Sequence, residues 1–217
     1  MPDPRNPGDT SVAVADVTAL VAQALPWLGD SVREALSAFA DRRKIGRVQE
    51  VLGAVTADLK EFNSEVSELY VKTPEFKQAL AQTLRQAADE PNDQKRRLYR
   101  AFLTDAITSP LEPFDRQMQL LHILKELRID HLRLLQMFTS LSTPQSSHVQ
   151  SPLQMLQREF PDMPRDRMSG LLTQLTDLKI ATVADWTSTA AGNAELLRNS
   201  LTSIGRKLLR YIRSTAG

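Results

Sequence analysis

Cysteine is missing from all 217 positions. Its absence removes disulfides, thiol nucleophiles, thiolate zinc sites and iron–sulfur clusters together, suits a reducing cytoplasm, and leaves stability to packing. Glycine is sparse, at 8 residues, and none of it builds a phosphate-cradling loop or a Gly-x-Ser-x-Gly nucleophile elbow. The three histidines, His122, His131 and His148, are scattered with no pair at i, i+4, so no metal-ligand spacing exists. No catalytic residue, metal ligand or cofactor is therefore assigned. Charge of one sign is not in excess either: Lys+Arg 27 against Asp+Glu 26 leaves no global basic field, and any polyanion site has to be local. Long apolar runs are lacking too. The richest, residues 12–28, is broken by Asp16, Thr18, Gln23 and Pro26 and is too polar and slightly short to span a bilayer. Residues 1–9 hold Pro2, Pro4, Pro7 and Gly8 without a basic and then an apolar region. They read as a flexible tail and not as a secretory signal.

What is present is helix. A hydrophobic fraction of 41% over this length fits a soluble globular chain with one good core or two small domains. From Arg42 to Tyr70 the residues Ile45, Val48, Leu52, Val55, Leu59, Phe62, Val66 and Leu69 recur at alternating steps of three and four, which predicts one long helix with an apolar seam. A dimeric coiled coil would need charged e positions, but these are Gln49, Thr56 and Asn63. The seam therefore reads as core within an intramolecular bundle. Gly46 and Gly53, inside this helix, read as places where another helix comes close.

Local chemistry predicts the other boundaries. Ser31-Val32-Arg33-Glu34 has capping-box spacing and follows a turn at Pro26-Trp27, making a helical hairpin at the front. Thr73-Pro74-Glu75 and Ser109-Pro110-Leu111-Glu112 each offer a cap and an N1 proline. The segment Asp89-Glu90-Pro91-Asn92-Asp93 is a turn. Trp27 and Trp186, both beside turns, read as packing anchors. Two basic clusters, Arg42-Arg43-Lys44 with Arg47 and Lys95-Arg96-Arg97 with Arg100, open helices against the helix-dipole preference, and read as solubility features paired with neighbouring acids.

The last third has the element order of a winged helix. A helix with Leu132, Leu134, Leu135 and Phe138 leads through a polar loop, residues 140–151, to Ser151-Pro152-Leu153-Gln154 and Met155, Leu156 and Phe160. Pro161-Asp162-Met163-Pro164 then opens a helix through Leu171, Leu172, Leu175 and Leu178. A small ribbon, residues 180–184 against 199–202, would be the wing. The expected fold is thus all-α: a flexible tail over 1–9, a helical bundle over 10–128 with a long central helix, and a winged-helix-like subdomain over 129–217 with at most a small β-ribbon. Its charge is barely basic, 10 cationic against 7 anionic side chains, or +3. Candidate nucleic-acid contacts are Arg165, Arg167, Thr173 and Gln174 on the helix at 164–178, where Asp162, Asp166 and Asp177 oppose them, and Arg206, Arg210 and Arg213 on the final helix, which suit phosphate or anionic lipid.

Four segments carry a resemblance: Ala24-Leu25-Pro26-Trp27-Leu28-Gly29, the Arg42-Arg43-Lys44 helix start, residues 120–135, and Leu201-Thr202-Ser203-Ile204-Gly205-Arg206-Lys207-Leu208-Leu209. Together they resemble bacterial helical proteins of the Abi-alpha type, associated with abortive infection. The Leu-Thr-x-x-Gly portion is similar to the closing motif of many winged-helix regulators. The resemblance implies a cytoplasmic bacterial protein in phage defence that acts by binding and supplies no catalytic residues. The expected role is a noncatalytic interaction protein, a defence or stress factor with a protein partner. The alternatives are a DNA-binding regulator using the C-terminal module and a membrane-acting effector using the hairpin at residues 12–39.

Overall fold

The computed structural model describes residues 14–19, 21–22, 28–37, 39, 41–61, 68–109, 112–140, 151–182, 186–187 and 199–214. The expectations placed on the tail at 1–9, on Trp27 and the Pro26 turn, on Phe62 and Val66, on Pro110 and Leu111, on most of the 140–151 loop with His148, and on Val183 and Ala184 lie outside these residues. The chain divides into two compact units, Met1–Lys125 and Glu126–Gly217. The described residues are predominantly helical; their only β pairing is one antiparallel bridge, Ala181 with Leu201.

The first unit is a helical bundle. After helical turns at residues 14–19 and 21–22 come α1 (Gly29–Leu36), α2 (Arg42–Glu61), α3 (Glu68–Val71), α4 (Pro74–Asp89), α5 (Asp93–Thr108) and α6 (Phe114–Glu126). The long helix α2 packs on both α4 and α5, while α1 packs on α4. Two partners explain why its buried face is wider than the seam: Ile45, Val48, Leu52, Val55 and Leu59 are buried, and so are Val51, Thr56 and Asp58. Facing them are Phe76, Leu80 and Leu84 of α4 and Leu98, Phe102 and Ile107 of α5. Each fully buried phenylalanine contributes about 2–3 kcal/mol by leaving water. The hairpin's apolar residues Val17, Val21, Leu28, Val32 and Leu36 belong to this core. No described helix is long and apolar enough to cross a membrane.

Of the helix expected over 42–70, Arg42–Glu61 and Glu68–Val71 are helical, and residues 62–67 lie outside the described residues. Two other boundaries differ from the sequence reading, each for a physical reason. Ser31 does not cap: α1 begins at Gly29, its N-cap Leu28 uses no side chain, and Ser31 is buried inside the helix. Gly29 allows this early start, because a Cβ there would lie 2.9 Å from the Cβ of Ala22. Ser109 closes α5, its N–H donating to the Asp105 carbonyl at 2.8 Å, and α6 opens at Phe114. Thr73 caps α4 as expected, its hydroxyl accepting from the Phe76 N–H at 3.2 Å.

The basic helix starts acquire a reason from their neighbours. Lys44 pairs with Asp89 at 2.6 Å, and Arg47 donates to the Ala88 carbonyl at 2.8 Å. Arg96 donates to the carbonyls of Glu90 and Pro91 at 3.3 and 2.8 Å, and Lys95 pairs with Glu90 at 3.0 Å. Residues 88–91 run from the last turn of α4 through its C-cap Glu90 to Pro91, where carbonyls lack helical partners and the helix dipole is negative. The cations at the starts of α2 and α5 thus serve the end of α4 and not their own helices.

Gly46 and Gly53 admit no close helix, contrary to the expectation: a Cβ at either would meet nothing within 4 Å. Replacing a helical glycine where there is space removes backbone entropy from the unfolded chain. Gly46→Ala and Gly53→Ala should each raise stability by about 0.8 kcal/mol, seen as a higher urea midpoint at unchanged slope. A lower midpoint for either would mean that a neighbour does close on that position.

Candidate functional site

The second unit comprises α7 (Ile129–Ser140), α8 (Pro152–Glu159), α9 (Arg165–Asp177) and α10 (Ser203–Ser214). Leu132, Leu134, Leu135 and Phe138 of α7 are fully buried, and both α9 and α10 pack on this helix. Ser151 opens α8 with a reciprocal capping box: its hydroxyl accepts from Gln154 N–H at 3.2 Å, and Gln154 Oε1 accepts from Ser151 N–H at 2.9 Å. Gln157 Nε2 donates to the Met163 carbonyl at 2.7 Å and so holds the turn between α8 and α9.

Trp186 joins three helices, as an anchor should. Its ring lies 5.8 Å from that of Phe138, its indole N–H donates to Thr176 Oγ1 at 3.2 Å, and its carbonyl accepts from Leu153 N–H at 3.0 Å. His131, also buried, accepts the Arg128 N–H on Nδ1 at 3.0 Å. That bond satisfies a donor near the start of α7 and gives the ring a structural task.

At the end of α9 the chain reverses through Lys179, whose φ of 58° is the left-handed conformation that frequently ends helices. Ile180 and Ala181 then run beside Leu201. Thr182 N–H donates to the Ser200 carbonyl at 2.8 Å, and Thr202 N–H to the Ile180 carbonyl at 3.0 Å. Thr202 caps α10, its hydroxyl accepting from Gly205 N–H at 3.0 Å and donating to the Lys179 carbonyl at 2.7 Å. Gly205 packs directly on this junction: a Cβ there would lie 2.2 Å from the Ile180 carbonyl oxygen. Among the described residues the pairing is this one bridge, and Val183 and Ala184 of the expected ribbon lie outside them.

All seven candidate contact residues lie exposed in this unit, or nearly so, on two helices. On α9, Met168, Leu171, Leu172 and Leu175 face inward, leaving Arg165, Arg167, Thr173 and Gln174 outside. Beside them Asp162, Asp166 and Asp177 are exposed as well. Arg167 forms an ion pair with Asp130 of α7, and Thr173 donates back to the Ser169 carbonyl at 3.0 Å. On α10, Leu208, Leu209, Tyr211 and Ile212 are buried and Arg206, Arg210 and Arg213 are exposed. Arg206 also donates to the Leu201 carbonyl at 2.7 Å.

No family model, curated protein or solved structure matches the chain. The arrangement itself therefore carries the reading. The Thr202–Lys179 bond brings the start of α10 to the end of α9, so Arg206 sits by that junction. Arg165 and Arg167 stand at the other end of α9, about 18 Å along its axis at 1.5 Å per residue. The role of Asp130 was not foreseen: the acid that holds Arg167 lies 37 positions away, where no sequence spacing marks it.

Proposed function

We propose that this chain is a noncatalytic interaction protein in which a helical bundle carries a winged-helix-like unit, and that the outward face of α9 binds a protein. The observation that supports this is the mixed polarity of that face. Arg165, Asp166, Arg167, Gly170, Thr173, Gln174 and Asp177 are all exposed, acids and bases alternate, and Arg167 is already held by Asp130. A duplex groove calls for cations and unopposed hydrogen-bond donors, whereas a protein surface tolerates both signs. The buried core of α9 keeps this face rigid, which limits the ordering cost of binding. The setting in this proposal is the bacterial cytoplasm and a defence or stress response, as the resemblance implies.

The test is site-specific photocrosslinking in cells. A photoreactive residue at Gln174 should give one or two discrete protein adducts, and one at exposed Lys77 on α4 should not. The same diffuse ladder from both positions, or adducts to nucleic acid from Gln174, would remove α9 as a protein-binding face.

A further inference from the structure

We propose a second surface on the same unit, independent of the α9 reading: the exposed stripe Arg206, Arg210 and Arg213 on α10 binds the phosphate backbone of a nucleic-acid duplex without regard to sequence. The three positions follow i, i+4, i+7 and so share one helix face. All three are exposed, and α10 contains no acidic residue. Arg210 and Arg213 have no ion pair among the described residues. Arg206 is held by its bond to the Leu201 carbonyl at 2.7 Å and is exposed. Lys179, exposed beside the start of the same helix, extends the positive surface.

Spacing and chemistry select the ligand. Seven residues of helix span about 10 Å, and one strand of a duplex presents a phosphate every 3.4 Å or so along its axis, so the stripe covers about three phosphates. An anionic membrane would also attract the charge, but a surface-binding helix needs an apolar face free to enter the headgroup layer. Here Leu208, Leu209 and Ile212 are buried in the unit. Single strands are held largely by stacking on aromatic rings, and the one aromatic residue of α10, Tyr211, is buried. No side chain of the stripe needs to enter a groove, so the contact is to backbone and carries no sequence preference.

The experiment is fluorescence anisotropy of a labelled duplex titrated with the full chain across a salt series. Releasing one counterion per neutralised phosphate gives a log–log slope of about −0.9 per contact, so from roughly 20 to 200 mM salt the parent should weaken about 500-fold. Arg210→Gln with Arg213→Gln should leave one contact and weaken only about eightfold over the same range. Arg210→Lys with Arg213→Lys keeps the charges and should keep the parent slope, and Arg165→Gln on α9 should keep it as well. Circular dichroism melts of all variants should match the parent, since these side chains are exposed. No binding at the lowest salt would overturn the proposal. So would equal slopes for the parent and the double glutamine variant, a slope reduced by Arg165→Gln, or binding to phosphatidylglycerol vesicles in place of duplex.

Discussion

Gly205→Ala is expected to destabilise the C-terminal unit by about 3 kcal/mol, the upper end of the usual range for overpacking. The added methyl would sit 2.2 Å from the Ile180 carbonyl oxygen and 3.2 Å from the Ile180 carbonyl carbon. A flexible side chain could swing aside; a backbone carbonyl cannot. This carbonyl also accepts the Thr202 N–H at 3.0 Å. Moving it would loosen both the Ala181–Leu201 bridge and the cap of α10. The intrinsic helix preference of alanine over glycine, about 1 kcal/mol, works in the opposite direction and is outweighed. Urea unfolding gives the magnitude. Faster amide exchange at Thr182 and Thr202, with no change at Leu84 or Phe102 in the first unit, gives the location. A midpoint equal to the parent's would show that α10 can shift away from Ile180 at little cost. The same substitution at Gly46 and Gly53 is expected to stabilise, so the three glycines test whether space, and not residue type, sets the sign.

Arg100→Met is expected to cost about 2–3 kcal/mol. Arg100 grips Asp58 with two nitrogens, Nε to Oδ2 at 2.7 Å and Nη2 to Oδ1, and Thr104 donates to Oδ2 at 3.2 Å. The Asp58 side chain keeps only 12% of its exposure and that of Arg100 keeps 34%. Methionine preserves the stem of the arginine but strips a nearly buried carboxylate of its countercharge. Breaking a fully buried pair costs about 3–5 kcal/mol, and the partial exposure of the guanidinium lowers the figure here. The double variant Asp58→Leu with Arg100→Met removes both charges and should recover to within about 1 kcal/mol of the parent, because a buried pair can often be replaced by apolar groups at little loss. Chemical denaturation of the three proteins decides the matter. A single variant as stable as the parent, or a double variant worse than the single, would show that the pair does not hold α2 to α5 in this way.

The parts of this fold that were legible before the structure share a property: their cause is local or periodic. The three–four spacing from Ile45 to Leu59 marks a buried helix face because side-chain direction repeats every 3.6 residues. Thr73 was readable as a cap because the amide it satisfies lies three residues away. Patterns failed where a distant partner decided. Ser31 fits a capping box, yet the helix starts earlier because Gly29 closes on Ala22. Ser109 before proline looks like a start, but the amide of Ser109 finishes the preceding helix. The candidate contacts were sought among polar residues of the last third, and all seven are exposed there. That Arg167 is engaged by Asp130, while Arg210 and Arg213 have no ion pair among the described residues, depends on which helices pack on α7, and no spacing within α9 or α10 contains that information. Gly205 was visible as part of a motif; the reason for glycine lies in a carbonyl 25 positions earlier.

The end of α4 has a consequence for how the chain is connected. Arg96 reaches the carbonyls of Glu90 and Pro91 from six and five residues away, whereas Arg47 reaches that of Ala88 from 41 residues away. Bringing chain ends together costs entropy in proportion to the logarithm of their separation, so the longer closure exceeds the six-residue one by about 1.7 kcal/mol. Both arginines bind the same short stretch of backbone, yet one is delivered by an adjoining turn and the other by a distant helix. At this end of the bundle the place of the long central helix is therefore more expensive to close than that of α5.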